Sequence, residues 1–426
     1  MRLALFLILL GSLFSCKITN QFDQSNSDLP KHLSNYIHNE FIFNQKWLSG
    51  NMDEDAFEYK PILSKPYWVI PSKKVSDIIE INKSNNNVSI AIYEKRIYLA
   101  FRTGPTHFAS KKTGLYVISS NDAVNWKKEL SVFVKRDVRE PFLIPINNEL
   151  HFYFFSAGTK ITAFNPEKIY HYKLKKEVWS GPDEILSPGE IHWSIKNRKG
   201  RTYMTSYIGN HYKLNGQSQV ALHFKSTLDG INFTPNNDSS LVYLGGVSEC
   251  AFEFDYEGNL WGVTRLEDGD KTGFGSHVIY ADKENLHKWY FPKKSDSKCF
   301  MSPRMFNHNN QLYLIARKHL GNKPFQRANR NLPLFIQRLS NWMTYSFTKK
   351  TTALYRINKI KKKVEWVLDL PGDGDTAFPS IVQLDKNTFL YANYSSPINP
   401  DRKKSWIIGQ LSKTGIYFQL IKFIPR

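Results

Sequence analysis

Short segments of alternating apolar and polar residues recur along the chain in pairs, and a polar turn joins the two members of each pair. The first pair is NVSIAIY at residues 87–93 and RIYLAFR at residues 96–102, with Glu94 and Lys95 between them. Alternation with a period of two is typical of β-strands, and a short polar turn between two such strands indicates a hairpin. The pattern predicts inner hairpins near residues 88–102, 141–155, 192–207, 250–265, 303–317 and 378–394.

A second, outer hairpin pattern follows each inner hairpin, so the unit of repetition is four strands in about 53 residues. An aromatic or His residue occupies one equivalent position in the six copies, at Tyr98, His151, Tyr203, Trp261, Tyr313 and Phe389. Repeats of this kind are typical of propeller blades. The sequence predicts an all-β, six-bladed β-propeller with four-stranded antiparallel blades. The stretch from about residue 318 to 352 is its one long insertion, and we expect it to cover part of one face.

Several outer turns, such as Ser120-Asn121-Asp122 followed by Trp126, resemble the Asp-box of sialidase-type propellers in a shortened form. The resemblance implies a structural role. The Asp caps the turn through backbone amides, and the aromatic side chain packs between sheets. We expect no chemistry from these turns.

The first residues of the chain differ from the repeat. Arg2 precedes an apolar run from Ala4 to Phe14, which is too short to span a bilayer and is typical of a secretory signal. The following Leu13-Phe14-Ser15-Cys16 resembles a bacterial lipobox, which implies a signal peptide at 1–16 and a lipid on Cys16. A plain secretory signal, with a secreted or periplasmic product, is the alternative. Residues 17–60 are then a tether and entry segment, and 61–426 the propeller.

The lipobox resemblance implies a location in the cell envelope, at a bacterial outer membrane or cell surface, with the membrane as a partner. Lys and Arg outnumber Asp and Glu by 58 to 38, which gives a net charge of +20. Such a charge attracts acidic glycans, nucleic acid or a membrane surface, although base composition of the genome also explains it. The basic residues are scattered and no nucleic-acid motif is present, so we expect no binding of nucleic acid. We also expect the protein to be a monomer.

The cysteines and acidic clusters do not indicate a metal or cofactor. Cys250 and Cys299 lack metal-ligand spacing, and they are either one disulfide or two thiols. The loop with Glu267, Asp268 and Asp270 lacks the spacing of an EF-hand, so we expect a solvated loop rather than a Ca²⁺ site. The prediction is no metal and no cofactor.

Charged residues gather at equivalent positions of the repeat. In a four-stranded meander the start of the first strand and the end of the second lie at the same end of the blade. Residues at those positions should therefore converge around one mouth of the central axis, and they are Asp137, Arg139, Glu140, Glu190, His192, Ser248, Glu249, Arg304, Asp373 and Asp375, followed by Arg102, Arg265, Arg317 and His319. Arg suits a carboxylate or phosphate, and carboxylates beside it suit glycosyl transfer. The alternative is a set of salt bridges that close the ring.

The fourth copy resembles the fourth blade of bacterial exo-sialidases, because Glu249 precedes its first strand and Arg265 ends its second. The resemblance implies that Glu249 is the base-type carboxylate and that Arg265 binds a carboxylate. Arg317 matches a further Arg of that family's triad. Two departures matter: the Arg-Ile-Pro motif is missing, and Phe378 stands where the nucleophilic Tyr is expected. Asp375 is the nearby alternative carboxylate.

Arg139-Glu140-Pro141 and Glu249-Cys250 also resemble the Arg-Asp-Pro and Glu-Cys motifs of five-bladed furanosidases. That resemblance implies that the first carboxylate stabilises the transition state and that the second is the acid. The two motifs lie one blade too far apart, and the nucleophile motif of that family is absent.

The sequence thus predicts an axial site with Glu249, Asp375 and Glu140 as catalytic carboxylates. Its ligand-binding residues are Arg102, Arg139, His192, Arg265, Arg304 and Arg317. The first hypothesis is a sialidase-like glycoside hydrolase acting on an acidic glycan. The alternatives are a non-catalytic surface lipoprotein that binds an acidic or neutral glycan or a host component, a furanosidase-like hydrolase, and a purely structural propeller.

Overall fold

The structure is a computed structural model that describes residues 22, 29–38, 58–160, 164–321, 331–399, 401 and 403–426. Among the residues described before the first blade, the elements are α1 (Leu29–His38), β1 (Tyr59–Leu63), β2 (Tyr67–Ile70) and α2 (Lys73–Ser76). The predicted signal peptide and Cys16 lie outside the described residues. None of the described helices is long and apolar enough to cross a membrane.

The first three blades are antiparallel sheets in which neighbouring strands follow one another along the chain. Blade one consists of β3 (Ser84–Tyr93), β4 (Arg96–Gly104), β5 (Gly114–Ser120) and β6 (Lys127–Val132). Blade two consists of β7 (Asp137–Ile146), β8 (Glu149–Ala157), β9 (Pro166–Lys175) and β10 (Val178–Ile185). Blade three consists of β11 (Ile191–Arg198), β12 (Arg201–Gly209) and β13 (Val220–Thr227), which pairs with both β14 (Thr234–Pro235) and β15 (Leu241–Gly245).

The remaining blades follow the same plan with local departures. Blade four contains β16 (Cys250–Phe254), β17 (Leu260–Thr264) and β20 (Val278–Ala281), and the separate hairpin β18 (Leu266–Asp270) and β19 (Gly273–Gly275) lies between them in sequence. Blade five consists of β21 (Met301–His308), β22 (Gln311–His319), β23 (Lys350–Asn358) and β24 (Lys363–Leu370). Blade six contains β25 (Ser380–Gln383), β26 (Thr388–Ser395) and β27 (Gly415–Pro425).

The two ends of the described propeller meet in blade six. β1 pairs antiparallel with β27, from Tyr59 opposite Pro425 to Leu63 opposite Ile421, and β2 pairs with the earlier half of β27. The outer strand of the sixth repeat therefore comes from the N-terminal side of the chain. The prediction of a six-bladed β-propeller is confirmed.

Burial along the blades explains the sequence pattern. β4 is buried at all but its first residue, because it packs between neighbouring blades, whereas the outermost strand of blade two, β10, is mostly exposed. The turn at Asp122 shows how the outer hairpins are fixed. Its carboxylate accepts hydrogen bonds from the backbone N–H groups of Val124 at 2.8 Å and Asn125 at 2.7 Å.

Two helices lie in loops at the mouth end of the propeller. α3 (Leu334–Phe347) belongs to the insertion between β22 and β23, and α4 (Trp406–Leu411) lies between β26 and β27. The rings of Tyr345 in α3 and Trp406 in α4 are 5.0 Å apart. The Arg338 guanidinium of α3 donates to several backbone carbonyls, those of Lys213, Leu214, Gly216 and Asp268. The insertion is thus fastened across loops of blades three and four.

Candidate functional site

The inner strands share a bulge at the end that faces the mouth. The register shifts between Asn86 and Ser89 in β3, between Arg139 and Phe142 in β7, and between Met301 and Arg304 in β21. The first bulged residue has a positive φ in each case, at Asn87 (φ 48), Glu140 (φ 51) and Ser302 (φ 52). Bulges re-aim side chains and are frequent beside active sites. At these equivalent positions of three blades, the side chains therefore depart from the usual alternation between the two faces of a strand.

Glu140 is the half-buried carboxyl group at the bulge of blade two. Burial, and after it the charge of Glu249, raises the pKa of Glu140 from 4.5 to about 8. The nearby Arg139 and Arg304 oppose that rise in pKa only in part. The His192 ring nitrogen Nε2 lies 2.8 Å from the backbone oxygen of Glu140 and holds the bulge in place. Glu140 therefore carries a proton near neutral pH.

Glu249 is buried at the mouth end of blade four and is hydrogen-bonded at both oxygens. Arg265 Nη1 donates to Oε1, and the backbone N–H of Ser302 donates to Oε2 at 2.7 Å. Arg265 Nη2 also donates to Glu267 and, at 2.6 Å, to the Tyr212 hydroxyl. The bulge at Ser302 thus supplies a backbone donor to the carboxylate of the neighbouring blade.

Arg304 stacks on aromatic rings beside the two glutamates. Its guanidinium carbon lies 4.6 Å from the centroid of the Phe142 ring and 5.6 Å from that of Trp193. It donates to the backbone oxygens of Trp193 at 2.8 Å and Pro379 at 3.2 Å. Burial lowers the pKa of Arg304 to about 10, so the group stays cationic at neutral pH.

Arg317, at the end of the second strand of blade five, has one nitrogen to spare. Nε donates to the backbone oxygen of Thr376 and Nη1 to the hydroxyl of Tyr345, both at 2.6 Å. Nη2 is buried and has no hydrogen-bond partner within the described parts of the chain. A buried guanidinium nitrogen without an acceptor is a binding position for an anionic ligand group.

Arg102 and Asp375 lie in a closed cluster where blades one, two and six meet. Arg102 is fully buried and donates to Asp137 Oδ1 at 2.7 Å and to the carbonyls of Thr106 and Phe108. Arg139 donates to the other oxygen of Asp137.

Asp375, also fully buried, lies 2.6 Å from His107 Nδ1 and accepts from the Tyr394 hydroxyl at 3.0 Å. These groups satisfy one another and join the blades.

Phe378, at the position where the sequence comparison expected a Tyr nucleophile, packs among aromatic rings. Its φ is 105°, and its ring centroid lies 5.6 Å from Trp193, 6.3 Å from His107 and 6.5 Å from Tyr394. In blade three, burial lowers the pKa of His192 to about 4, so its imidazole is neutral.

Several residues of the site were not predicted from the sequence: Asn87, Trp193, Tyr212, Ser302 and Tyr345. Asn87 is buried, and its side-chain amide lies against Glu140 and opposes the rise in the pKa of that carboxyl group. The signal for it was available, because Asn tolerates a positive φ and three Asn stand together at the start of β3. Tyr212 and Tyr345 come from loops with no repeat pattern.

The acidic loop differs from its prediction. Glu267 and Asp268 are buried in β18, and Asp270 accepts hydrogen bonds from Tyr243 and Thr272, so the expectation of a solvated loop is wrong. Across the described ranges no group of three His, Cys, Asp or Glu side chains is placed to hold a metal ion. Cys250 and Cys299 are free thiols.

Comparison with known proteins gives likeness of fold rather than of sequence. No protein-family model and no curated protein sequence matches the chain. A Dyadobacter fermentans protein of unknown function aligns with a TM-score of 0.57 at 13% identity, over 82% of this chain and 97% of that one. A sialidase from Trypanosoma rangeli aligns with a TM-score of 0.53 at 12% identity, over 80% of this chain and 55% of that one.

An α-L-arabinanase from Penicillium chrysogenum, solved with arabinobiose, aligns with a TM-score of 0.50 at 12% identity, over 84% of this chain and 98% of that one. This chain spans about half the length of the sialidase. At these identities the likeness establishes the fold alone. The chain has the six-bladed propeller fold that these two glycoside hydrolases share.

Proposed function

We propose that this protein is a glycoside hydrolase with Glu140 as its general acid and Glu249 as its second carboxylate. The observation that carries the proposal is the half-buried Glu140 carboxyl group close to Glu249, with its pKa raised to about 8 by burial and by the charge of Glu249. Two carboxyl groups in unlike environments are what an acid and its partner carboxylate require. Arg102 and Asp375 are left out of the proposed catalytic set, because their side chains are enclosed.

In the proposed reaction Glu140 donates its proton to the glycosidic oxygen as the bond from that oxygen to the anomeric carbon breaks. The Glu249 carboxylate faces the positive charge that develops on the sugar. A water molecule then adds to the anomeric carbon and gives its proton to Glu249, and transfer of that proton back to Glu140 completes the cycle. The scheme needs no nucleophilic hydroxyl at Phe378.

The proposed substrate is an acidic glycan. Arg317 Nη2 has two N–H donors directed to no described residue, and Arg304 is a second cation beside Glu140. A carboxylate or sulfate on a sugar supplies the acceptors that these groups lack. The stacked rings around Arg304 offer apolar faces for the sugar itself.

Two observations support other functions. Phe378 in place of a Tyr favours a protein that binds a glycan without cleaving it. The Arg139-Glu140-Pro141 motif and the arabinanase fold favour a furanosidase-like hydrolase.

The test uses residues 17–426, which include every residue that the structure describes. Hydrolysis is measured on sialosides, other acidic glycans and furanosides, with glycan-array binding in parallel. Turnover that Glu140→Gln abolishes supports the hydrolase. Binding without turnover, lost in Arg317→Ala, assigns the binding function instead, and cleavage of neutral furanosides alone assigns the furanosidase.

The lipid on Cys16 is likewise a proposal, supported by the lipobox resemblance. Labelled fatty acid should be incorporated into the full chain expressed in a bacterial host and not into its Cys16→Ser variant. Export of an unlabelled protein would indicate a plain secretory signal.

A further inference from the structure

The helix α3 carries large apolar side chains on the face that is turned outward. Phe335, Leu339, Met343 and Phe347, at every fourth position, are between 38% and 50% exposed. The inward face mixes polar and aromatic side chains, which are those of Gln337, Arg338, Asn341, Trp342 and Tyr345. On a surface helix of a globular protein the outward face is ordinarily polar.

The outward stripe, formed by Phe335, Leu339, Met343 and Phe347, has a fixed orientation, because specific contacts anchor both ends of α3. Arg338 is buried and donates to four backbone carbonyls, and at the other end of the helix Tyr345 receives the hydrogen bond from Arg317. Rotation of α3 about its axis would break the hydrogen bonds of Arg338 and the hydrogen bond between Arg317 and Tyr345. Exposed apolar stripes of this kind mark binding surfaces.

Further apolar side chains are exposed at the same end of the propeller. Loops that join the second to the third strand, or one blade to the next, lie at the mouth end with α3. Phe133 and Val134 between blades one and two are exposed, and so is Phe164 in the loop between β8 and β9. Exposed apolar side chains thus occur both on α3 and on other loops around the mouth.

The same loops are basic. Residues 105–113, 133–136, 210–219 and 331–349 contain no Asp or Glu. Their exposed lysines are Lys111, Lys112, Lys135, Lys213 and Lys349, and none of the five forms an ion pair with a described residue. Glu249 and Asp375 of this end are buried and hydrogen-bonded, whereas Asp401, between β26 and β27, is exposed. Outward from the mouth, positive charge and apolar side chains dominate.

We propose that the mouth end docks onto an anionic lipid bilayer. Phe335, Leu339, Met343 and Phe347 enter the boundary between headgroups and acyl chains, and the lysines of the surrounding loops lie against anionic headgroups. Exposed apolar side chains, together with lysines that pair with no described acidic group, match that surface in both chemistry and charge. The docking does not depend on the proposed hydrolysis, and it places the mouth of the axial site at the headgroup layer.

The test is cosedimentation of residues 17–426 with vesicles of phosphatidylcholine alone or mixed with phosphatidylglycerol. We expect binding to the anionic vesicles that weakens in 0.5 M salt. The triple variant Phe335→Ser, Leu339→Ser, Phe347→Ser should weaken binding by about tenfold for each side chain replaced. Lys111→Gln, Lys112→Gln and Lys213→Gln should each weaken it by about fivefold.

The matched control replaces apolar residues of equal or greater exposure at the opposite end. Val178→Ser and Ile360→Ser change turns whose side chains are 67% and 95% exposed, and they should leave vesicle binding unchanged. Absence of binding to anionic vesicles, or equal losses in the control and the triple variant, would overturn the proposal. A dimer that forms on gel filtration and disappears in the triple variant would assign the stripe to a second copy of the chain and would overturn it as well.

Discussion

Two clusters at the mouth end of the propeller contain the same kinds of residue and differ in what they leave available. In the first cluster Arg102 and Arg139 both donate to Asp137, and His107 and Tyr394 satisfy Asp375. The second cluster contains the half-buried Glu140, whose pKa is raised to about 8, with Glu249 and Arg304 close to it. Arg317 in blade five, a separate position of the mouth, keeps a nitrogen without a partner among the described residues. The first joins blades, whereas the second can receive a ligand.

The difference arises from the groups that neighbouring blades and loops bring to equivalent positions. Arg102 and Arg317 end the second strands of their blades at equivalent positions, opposite Asn86 and Met301. A carboxylate lies within reach of Arg102 at Asp137, whereas Arg317 meets the Thr376 carbonyl and the Tyr345 hydroxyl. Equivalent positions in a repeat therefore share a location and not a role.

The largest expected effect concerns the open cluster. Glu140→Gln should lower kcat on a cleaved glycan by about 100- to 10,000-fold, because the amide has no acidic proton to give to the leaving group. Thermal stability at neutral pH should not fall, since the neutral amide of Gln replaces a carboxyl group that keeps its proton at that pH. The control is Glu284→Gln, at an exposed turn of the other end, which should leave kcat unchanged. Full activity of the Glu140 variant would remove it from the reaction.

The closed cluster should respond in stability. Asp137→Asn leaves the fully buried Arg102 without its counter-charge and should lower the free energy of unfolding by about 3–5 kcal/mol. Urea denaturation measures the loss. Asp369→Asn, which removes the partner of Lys318 in an exposed ion pair, should cost less than about 1 kcal/mol. Similar losses in both variants would contradict the structural role of the closed cluster.

The pH dependence separates the clusters further. Because the pKa of Glu140 is about 8, kcat/KM should fall as pH rises above 8 and the acid loses its proton. The folded chain keeps this proton up to a higher pH than the unfolded chain does. The free energy of unfolding should therefore decline between about pH 4.5 and 8 on account of this group. Glu140→Gln should remove that part of the decline, and an unchanged pH profile of stability would contradict the raised pKa.

The fold could be predicted because each blade repeats one hairpin pattern, and strand period and turn chemistry are local properties of the sequence. The entry segment was a candidate for closing the ring, but the repeat does not give the pairing of β1 with β27, because that pairing joins residues more than three hundred positions apart. The helix α3 was hidden for another reason. Its inward face mixes polar and aromatic residues and its outward face carries apolar ones, so the usual pattern of burial gives no indication of its orientation.

The site was predictable as a set of positions and not as a set of roles. The repeat brought Glu140, Glu249 and Arg304 to one mouth, and their mutual electrostatic effects show that they are close. The raised pKa of Glu140 depends on its burial and on the charge of Glu249, which belongs to another blade. The hydrogen bonds of Glu249 likewise come partly from another blade. One of them is donated by the Ser302 backbone N–H, which is directed by a bulge that strand alternation does not reveal.

A smaller effect is expected at Arg317. Arg317→Lys keeps the charge but loses the second N–H group of the fork, so KM for an acidic glycan should rise by about tenfold while kcat changes little. Arg356→Lys, at an exposed ion pair with Glu365, is the control and should leave KM unchanged. An equal KM for acidic and neutral glycans in the native chain would show that Arg317 does not select for charge.

The smallest effect concerns Asn87, whose buried amide lies beside Glu140. Asn87→Asp places another carboxylate next to that acid, and like charge raises the pKa of a carboxyl group. The fall of kcat/KM at high pH should therefore move upward by about half a unit to one unit. Asn147→Asp is the control, because Asn147 has the same φ of 48° at an exposed turn of the other end, and its profile should not move. A profile that stays in place for Asn87→Asp while Glu140→Gln abolishes it would mean that Asn87 shapes the bulge without influencing the proton of Glu140.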